Sequence, residues 1–105
     1  MPDDELTLSV LRQIDHSENQ KILARKLGIS VGKANYVLRA LIEKGFIKVD
    51  RFLHSSNKRG YVYLLTTEGI RAKIKLTEKF IAIKKREYEE LQKELESLRG
   101  SGSGE

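Results

Sequence analysis

Apolar positions recur at helical spacing in three short segments, switch to alternation near the middle of the chain, and return to helical spacing for a long final run. Leu6, Val10, Leu11 and Ile14 predict a first helix ending near Asp15. Asp3, Asp4 and Glu5 fall in its first turn, where the helix macrodipole favours negative charge. Ser17 with Gln20 three residues on reads as a capping box, and Ile22, Leu23 and Leu27 give the helix that follows one apolar face. Gly28 stops it, because helix ends often need a left-handed residue. Ser30 then caps a helix over Val31–Lys44 that ends at Gly45.

At about 100° per residue, Ala34, Val37, Leu38, Leu41 and Ile42 lie on one face of that third helix. Gly32, Asn35, Tyr36, Arg39 and Glu43 lie opposite, with Lys33 and Ala40 at the flank. After Gly45 the period changes: Ile47 and Val49 alternate with Lys48 and Asp50, and Tyr61, Tyr63 and Leu65 with Val62 and Leu64. Two such strands, joined by residues 51–60 with a polar, basic tip at Lys58 and Arg59, make a hairpin. Thr66 caps a last helix that runs from Thr67 to about Arg99, roughly 50 Å at the standard rise. Ile74, Ile81, Tyr88 and Leu95 fit position a of a heptad, and Ile70, Thr77, Lys84, Leu91 and Leu98 fit position d. Only Thr77 and Lys84 break the apolar seam. A second stripe of Leu76, Phe80 and Ile83 is confined to the first half, which can therefore pack on the body and on a partner at once.

Two short helices joined by the Leu27-Gly28-Ile29-Ser30 turn form a helix-turn-helix, and a hairpin directly after its second helix is a wing. The expected fold is mostly α with one small β-hairpin: a winged helix-turn-helix over residues 1–66, a dimerisation helix over 67–99 pairing as a coiled coil, and a Gly-Ser tail over 100–105. The sequence leaves open whether those long helices pair parallel or antiparallel.

Charge sharpens this picture. The net +5 of the 105 residues is unevenly spread. Residues 1–20 carry one basic and five acidic groups, and residues 21–60 carry ten basic and two acidic, net +8. Residues 61–86 carry seven and two, and residues 87–105 two and six. Positive charge centred on the helix-turn-helix suits a polyanion and implies salt-dependent binding. On the third helix, Lys33, Asn35, Tyr36 and Arg39 can reach base edges or phosphates, and Gly32 permits close approach to a backbone. Ser17, Gln20, Lys21 and Ser30 stand near two helix N-termini, where phosphates bind, and Lys58 and Arg59 can reach a flanking minor groove or its phosphates.

Without cysteine there is neither a disulfide nor a thiolate metal site, and His16 and His54 have no second ligand at metal spacing. No apolar run is long enough to span a membrane, and the acidic N-terminus is unlike a signal peptide, so a cytoplasmic protein without cofactor or metal is expected. The carboxylate clusters sit at a helix start and on a coiled-coil face, and no nucleophile is paired with a base, which argues against an enzyme. The other candidate is a winged-helix interaction module whose coiled coil recruits a protein and which touches DNA weakly; the +8 segment argues against it.

The runs LARKLGISVGKANYVLRALIEKGFIKV and YVYLLTTEGI resemble the MarR-type winged-helix regulators, and most of all the small group associated with bacterial exopolysaccharide gene clusters. The likeness covers roughly residues 3–99. Its Gly-Ile-Ser turn, Leu-Ile-Glu-Lys-Gly helix end and Leu-Thr-x-x-Gly helix start are common among winged-helix regulators, whereas Val31–Tyr36 is more specific. The resemblance implies a homodimeric transcriptional regulator, with a helix of each subunit in a major groove of a pseudo-palindromic double-stranded site, acting on surface-polysaccharide genes. Typical MarR proteins are larger, with an extra C-terminal helix and often a ligand pocket beside the dimerisation helices. A single long C-terminal helix here leaves a small-molecule effector open.

Overall fold

The computed structural model describes residues 3–14, 19–53 and 59–103, with the side chains of 51–61, 102 and 103 excepted. Within these residues lie four helices and one hairpin: α1 (Asp4–Gln13), α2 (Gln20–Leu27), α3 (Val31–Glu43), β1 (Ile47–Leu53), β2 (Arg59–Leu65) and α4 (Thr67–Ser103).

Asp3 caps α1, its carboxylate accepting from the Leu6 N–H at 2.7 Å, so only Asp4 and Glu5 occupy the first turn. The helix buries Thr7 and Leu8 as well as Val10, Leu11 and Ile14, because it lies between the α2–α3 pair on one side and α4 on the other. The start of α2 differs from the expected capping box. Asn19, not Ser17, is the cap, and its side chain accepts from the Ile22 N–H at 2.9 Å. Asparagine caps as well as serine, and Gln20 is thereby the first helical residue, too early to reach back to a capping backbone. Ser17 lies outside the described residues.

Gly28 sits at φ 67° and closes α2. Its N–H donates to the Arg25 carbonyl, and the Ile29 N–H donates to the Ala24 carbonyl at 3.0 Å. The turn is therefore held by the backbone itself. Gly45, at φ 80°, ends α3 in the same way, with the Phe46 N–H donating to the Leu41 carbonyl. One core joins the elements: Val10 and Leu11 of α1 with Ile14 at its C-terminal cap, Leu23 and Ala24 of α2, Ala34, Val37, Leu38 and Leu41 of α3, and Ile47 of β1. Ile42, expected on the inner face of α3, lies at its edge and is partly open. Leu41 is fully buried at the centre, so Leu41→Ala should cost about 2–5 kcal/mol in urea unfolding. A change under about 1 kcal/mol would show this packing to be wrong.

The strands pair antiparallel, from Ile47 opposite Leu65 to Leu53 opposite Arg59. They are longer than the alternation predicts, so residues 51–53 and 59–60 belong to the ladder rather than to the loop. Arg59 opens β2 instead of standing at the tip, and Lys58 lies outside the described residues. The reason is that Arg51, Phe52 and Leu53 tolerate extended backbone well, although their polarity does not alternate.

The base of the hairpin is locked to α4. The Thr66 N–H donates to the Phe46 carbonyl at 3.1 Å, and its hydroxyl donates to the Gly45 carbonyl while accepting from the Gly69 N–H at 3.0 Å. Gly69 packs so close that a Cβ there would stand 2.0 Å from the Phe46 carbonyl oxygen. Ala72 and Leu76 continue this packing onto the core. On the opposite side Lys79 of α4 pairs with Asp4 of α1.

Beyond that pair α4 leaves the body. The molecule measures 75 × 25 × 24 Å, and every residue from Lys84 to Ser101 is exposed. The helix does not stop at Arg99, where the Gly-Ser run predicts a tail, but continues through Ser103. Once many turns are formed, each added residue brings one more hydrogen bond, and glycine costs only about 1 kcal/mol against that. Among the described residues no helix is long and apolar enough to cross a membrane.

Candidate nucleic-acid interface

The α2–turn–α3 unit holds α3 so that one side is sealed and the other faces solvent. Ala34, Val37, Leu38 and Leu41 are buried, whereas Val31, Gly32, Lys33, Tyr36, Arg39 and Glu43 are exposed. The N-terminus of α3 is capped by Ser30, whose hydroxyl accepts from the Lys33 N–H at 3.0 Å. The other early N–H groups of the helix point the same way, which suits an anion.

Lys33, Tyr36 and Arg39 follow one another at intervals of three on the exposed side. The Lys33 ammonium lies 5.5 Å from the centre of the Tyr36 ring, a cation–π contact that aligns the two side chains. Tyr36 is 47% exposed, more than a ring placed merely for packing needs to be. Asn35 departs from the expected arrangement. It is half-buried, and its carbonyl oxygen accepts from the Gln20 side-chain amide at 3.0 Å. Gln20 thus braces α2 against α3, and the Asn35 side chain is held by its oxygen with its NH₂ still available. Lys21 is exposed at the start of α2, close in sequence to that brace.

Two features escaped the sequence pattern. Val31, 44% exposed, is the first residue of α3 and presents its methyl groups to solvent at the start of the helix. Its offset of three residues from Ala34 puts it within about 60° of the inward stripe, so period alone marks it as inward, and only its place in the first turn, at the end of the helix, leaves it open. Lys44 lies 5.8 Å from the Phe46 ring, and with exposed Lys48 it extends the basic surface from α3 toward the wing. Among the described residues no group of His, Cys, Asp or Glu is arranged to hold a metal.

Residues 3–48 match a family model described as winged helix-turn-helix DNA-binding. The domain is a winged helix-turn-helix. No curated protein sequence matches the chain. Solved structures do. A PadR-like transcriptional regulator from Bacillus cereus superposes with TM-score 0.72 at 18% identity, over 83% of this chain and 91% of that one. The Staphylococcus aureus MepR–DNA complex gives TM-score 0.57 at 21% identity, over 93% and 75%. MarR of S. aureus, solved with salicylate and kanamycin, gives 0.58 at 20%, over 76% of this chain and 53% of that one. At such identities the likeness establishes the fold. The match of the family model covers α1, α2, α3 and the start of β1, and so includes Lys21, Lys33, Arg39, Lys44 and Lys48 of the basic surface around α3.

Proposed function

We propose that the protein is a sequence-specific DNA-binding transcriptional regulator of MarR type that acts as a homodimer. The observation that carries the reading is the exposed row Lys33, Tyr36 and Arg39 on a helix whose opposite face buries Ala34, Val37, Leu38 and Leu41, within a segment of net charge +8. α3 enters the major groove, with Arg39 and the Asn35 amide directed at base edges and Val31 at a thymine methyl. Ser30, Gly32, Lys21 and Lys33 meet phosphates at the helix N-termini, and Lys58 and Arg59 of the wing meet the flanking backbone or minor groove. Gln20 acts through Asn35 as a brace. The exposed α4 seam of Ile70, Ile74, Ile81, Tyr88, Leu91, Leu95 and Leu98 is the surface that a second copy covers. Such a protein works beside the nucleoid in a bacterial cytoplasm. The likeness of Val31–Tyr36 to the exopolysaccharide-associated group extends the proposal to surface-polysaccharide genes as its targets.

The test is binding to DNA upstream of its own gene, titrated against salt and unrelated competitor. Arg39→Ala should weaken specific binding more than tenfold, since one good base pairing of this kind is worth about 1–3 kcal/mol. An Arg39→Ala protein that still selects its operator normally removes Arg39 from base recognition. Lys58→Ala should instead flatten the dependence of log K on log salt by about one unit, the slope owed to a single neutralised phosphate, with sequence preference kept. Binding that competitor DNA abolishes would favour the protein-recruiting alternative.

A further inference from the structure

Gln20 is the first residue of α2, and its side-chain amide N–H donates to the Asn35 carbonyl oxygen on α3 at 3.0 Å. Gln20 is free to reach across because Asn19 has taken over the capping of α2. Among the described residues no buried side-chain polar atom lacks a partner, and the Asn35 NH₂ donates to none of them, so that NH₂ opens to solvent. At about 100° per residue Asn35 falls between Val31 and Arg39, one turn from each, and both are exposed. Asn35 therefore stands within the surface that α3 offers to a groove, with one end of its amide tied and the other open.

We propose that Gln20 is a positioning residue that decides which bases Asn35 reads. By holding the carbonyl oxygen it leaves Asn35 a donor only, and so selects guanine or thymine over adenine or cytosine at one position of each half-site. The proposal rests on the DNA-binding reading and deepens it. Its chemistry follows from the base edges. In the major groove adenine offers an acceptor at N7 beside a donor at N6, and an untethered asparagine meets both, its NH₂ donating to N7 while its oxygen accepts from N6. Guanine offers acceptors alone, at N7 and O6, and thymine offers O4, so an NH₂ with two hydrogens suits either.

With its oxygen held against α2, Asn35 has nothing to accept the amino group of adenine or of cytosine. That group would be left facing the Asn35 NH₂, donor against donor, in a desolvated interface, and an unmade hydrogen bond there is costly. The tether also stops the side chain from swapping its two ends, an ordering already made in the free protein.

The test is selection from a pool of randomised duplexes by the full chain, as wild type, Asn35→Ala, Gln20→Ala and Gln20→Glu. The position at which Asn35→Ala flattens the preference is the one Asn35 reads, and wild type should hold guanine or thymine there. Gln20→Ala frees the oxygen, so the preference for that base over adenine should fall at least about fivefold, the lower end of what one good base contact discriminates. Gln20→Glu keeps the shape but has no proton to donate, so its carboxylate accepts from the Asn35 NH₂ and turns the amide end for end. That variant should favour adenine and cytosine, and it carries the test alone if Gln20→Ala loses its cooperative melt. In an Asn35→Ala background neither change at Gln20 should alter the preference at that position. A wild type that holds adenine or cytosine there, or an Asn35→Ala protein that flattens no position, would overturn the proposal. So would Gln20 variants that lose affinity evenly for all sequences, which would leave a DNA-binding regulator with a merely structural brace. A wild type that enriches no sequence removes the regulator reading, and this inference with it.

Discussion

Gly69→Ala should lower stability by about 3 kcal/mol or more, beyond the usual cost of one added methyl group. The new Cβ would meet the Phe46 carbonyl oxygen at 2.0 Å and its carbon at 2.9 Å. That carbonyl cannot swing aside, because it receives the Thr66 N–H, and Thr66 in turn caps α4 and holds the Gly45 carbonyl. Relief therefore requires α4 to separate from the base of the wing, breaking the cap and pulling Ala72 and Leu76 off the core. For a domain of this size the melting temperature should fall by at least about 12 °C at matched protein concentration. A variant that melts within about 3 °C of wild type would mean that the helix start sits farther from the hairpin than this geometry requires. Gly100→Ala, where a Cβ meets nothing within 4 Å, is the control and should be neutral or slightly stabilising.

The second large effect is expected at the far end of α4. Leu91→Asp combined with Leu95→Asp should give a monomer in light scattering and reduce operator affinity more than a hundredfold. Both residues lie outside the buried core, so the winged helix-turn-helix should keep its cooperative melt. In a dimer the same carboxylates would be enclosed at a two-fold seam without partners, at several kcal/mol in total. Uncoupling the two DNA-binding heads forfeits the effective concentration that makes the second engagement nearly free. Circular dichroism adds an independent reading. An unsupported stretch of about fifteen helical residues is marginal in water, so helicity should drop as the overhang frays. A double variant that remains dimeric would place the subunit interface elsewhere.

Much of this architecture was legible because the signals are local. Gly28 and Ser30 stand where a left-handed residue and a cap are needed, and the inward stripe Ala34, Val37, Leu38 and Leu41 follows from period alone. The long final helix and its two stripes follow from period too, with Leu76 on the core and Ile70, Ile74 and Ile81 open. What escaped depends on geometry between elements or on competition between equivalent residues. Ser17 and Asn19 are comparable caps two residues apart, and choosing Asn19 turned Gln20 from a capping partner into the brace on Asn35. Burial of Thr7 and Leu8 needed the position of α4, which no property of α1 reveals. Gly69 was visible as part of a common helix start, yet its proximity to Phe46 emerges only in three dimensions. Of the proposed DNA-binding residues, Lys33, Tyr36 and Arg39 are brought onto one surface, Asn35 is held half-buried at its edge, and Gln20 has another task.

The hydrogen-bonded junction at Thr66 makes α4 and α3 a single stiff lever. The Phe46 N–H is held by Leu41 of α3, and the Phe46 carbonyl is held by Thr66 at the root of α4. With so little slack at the fulcrum, a tilt of α4 reaches the far side of the body undiminished. Across a body about 24 Å deep, a tilt of about 10° carries the opposite face roughly 4 Å, slightly more than the rise of one base step. In the proposed dimer on DNA, any event that re-angles α4 would thereby slip each head by one rung of the DNA ladder.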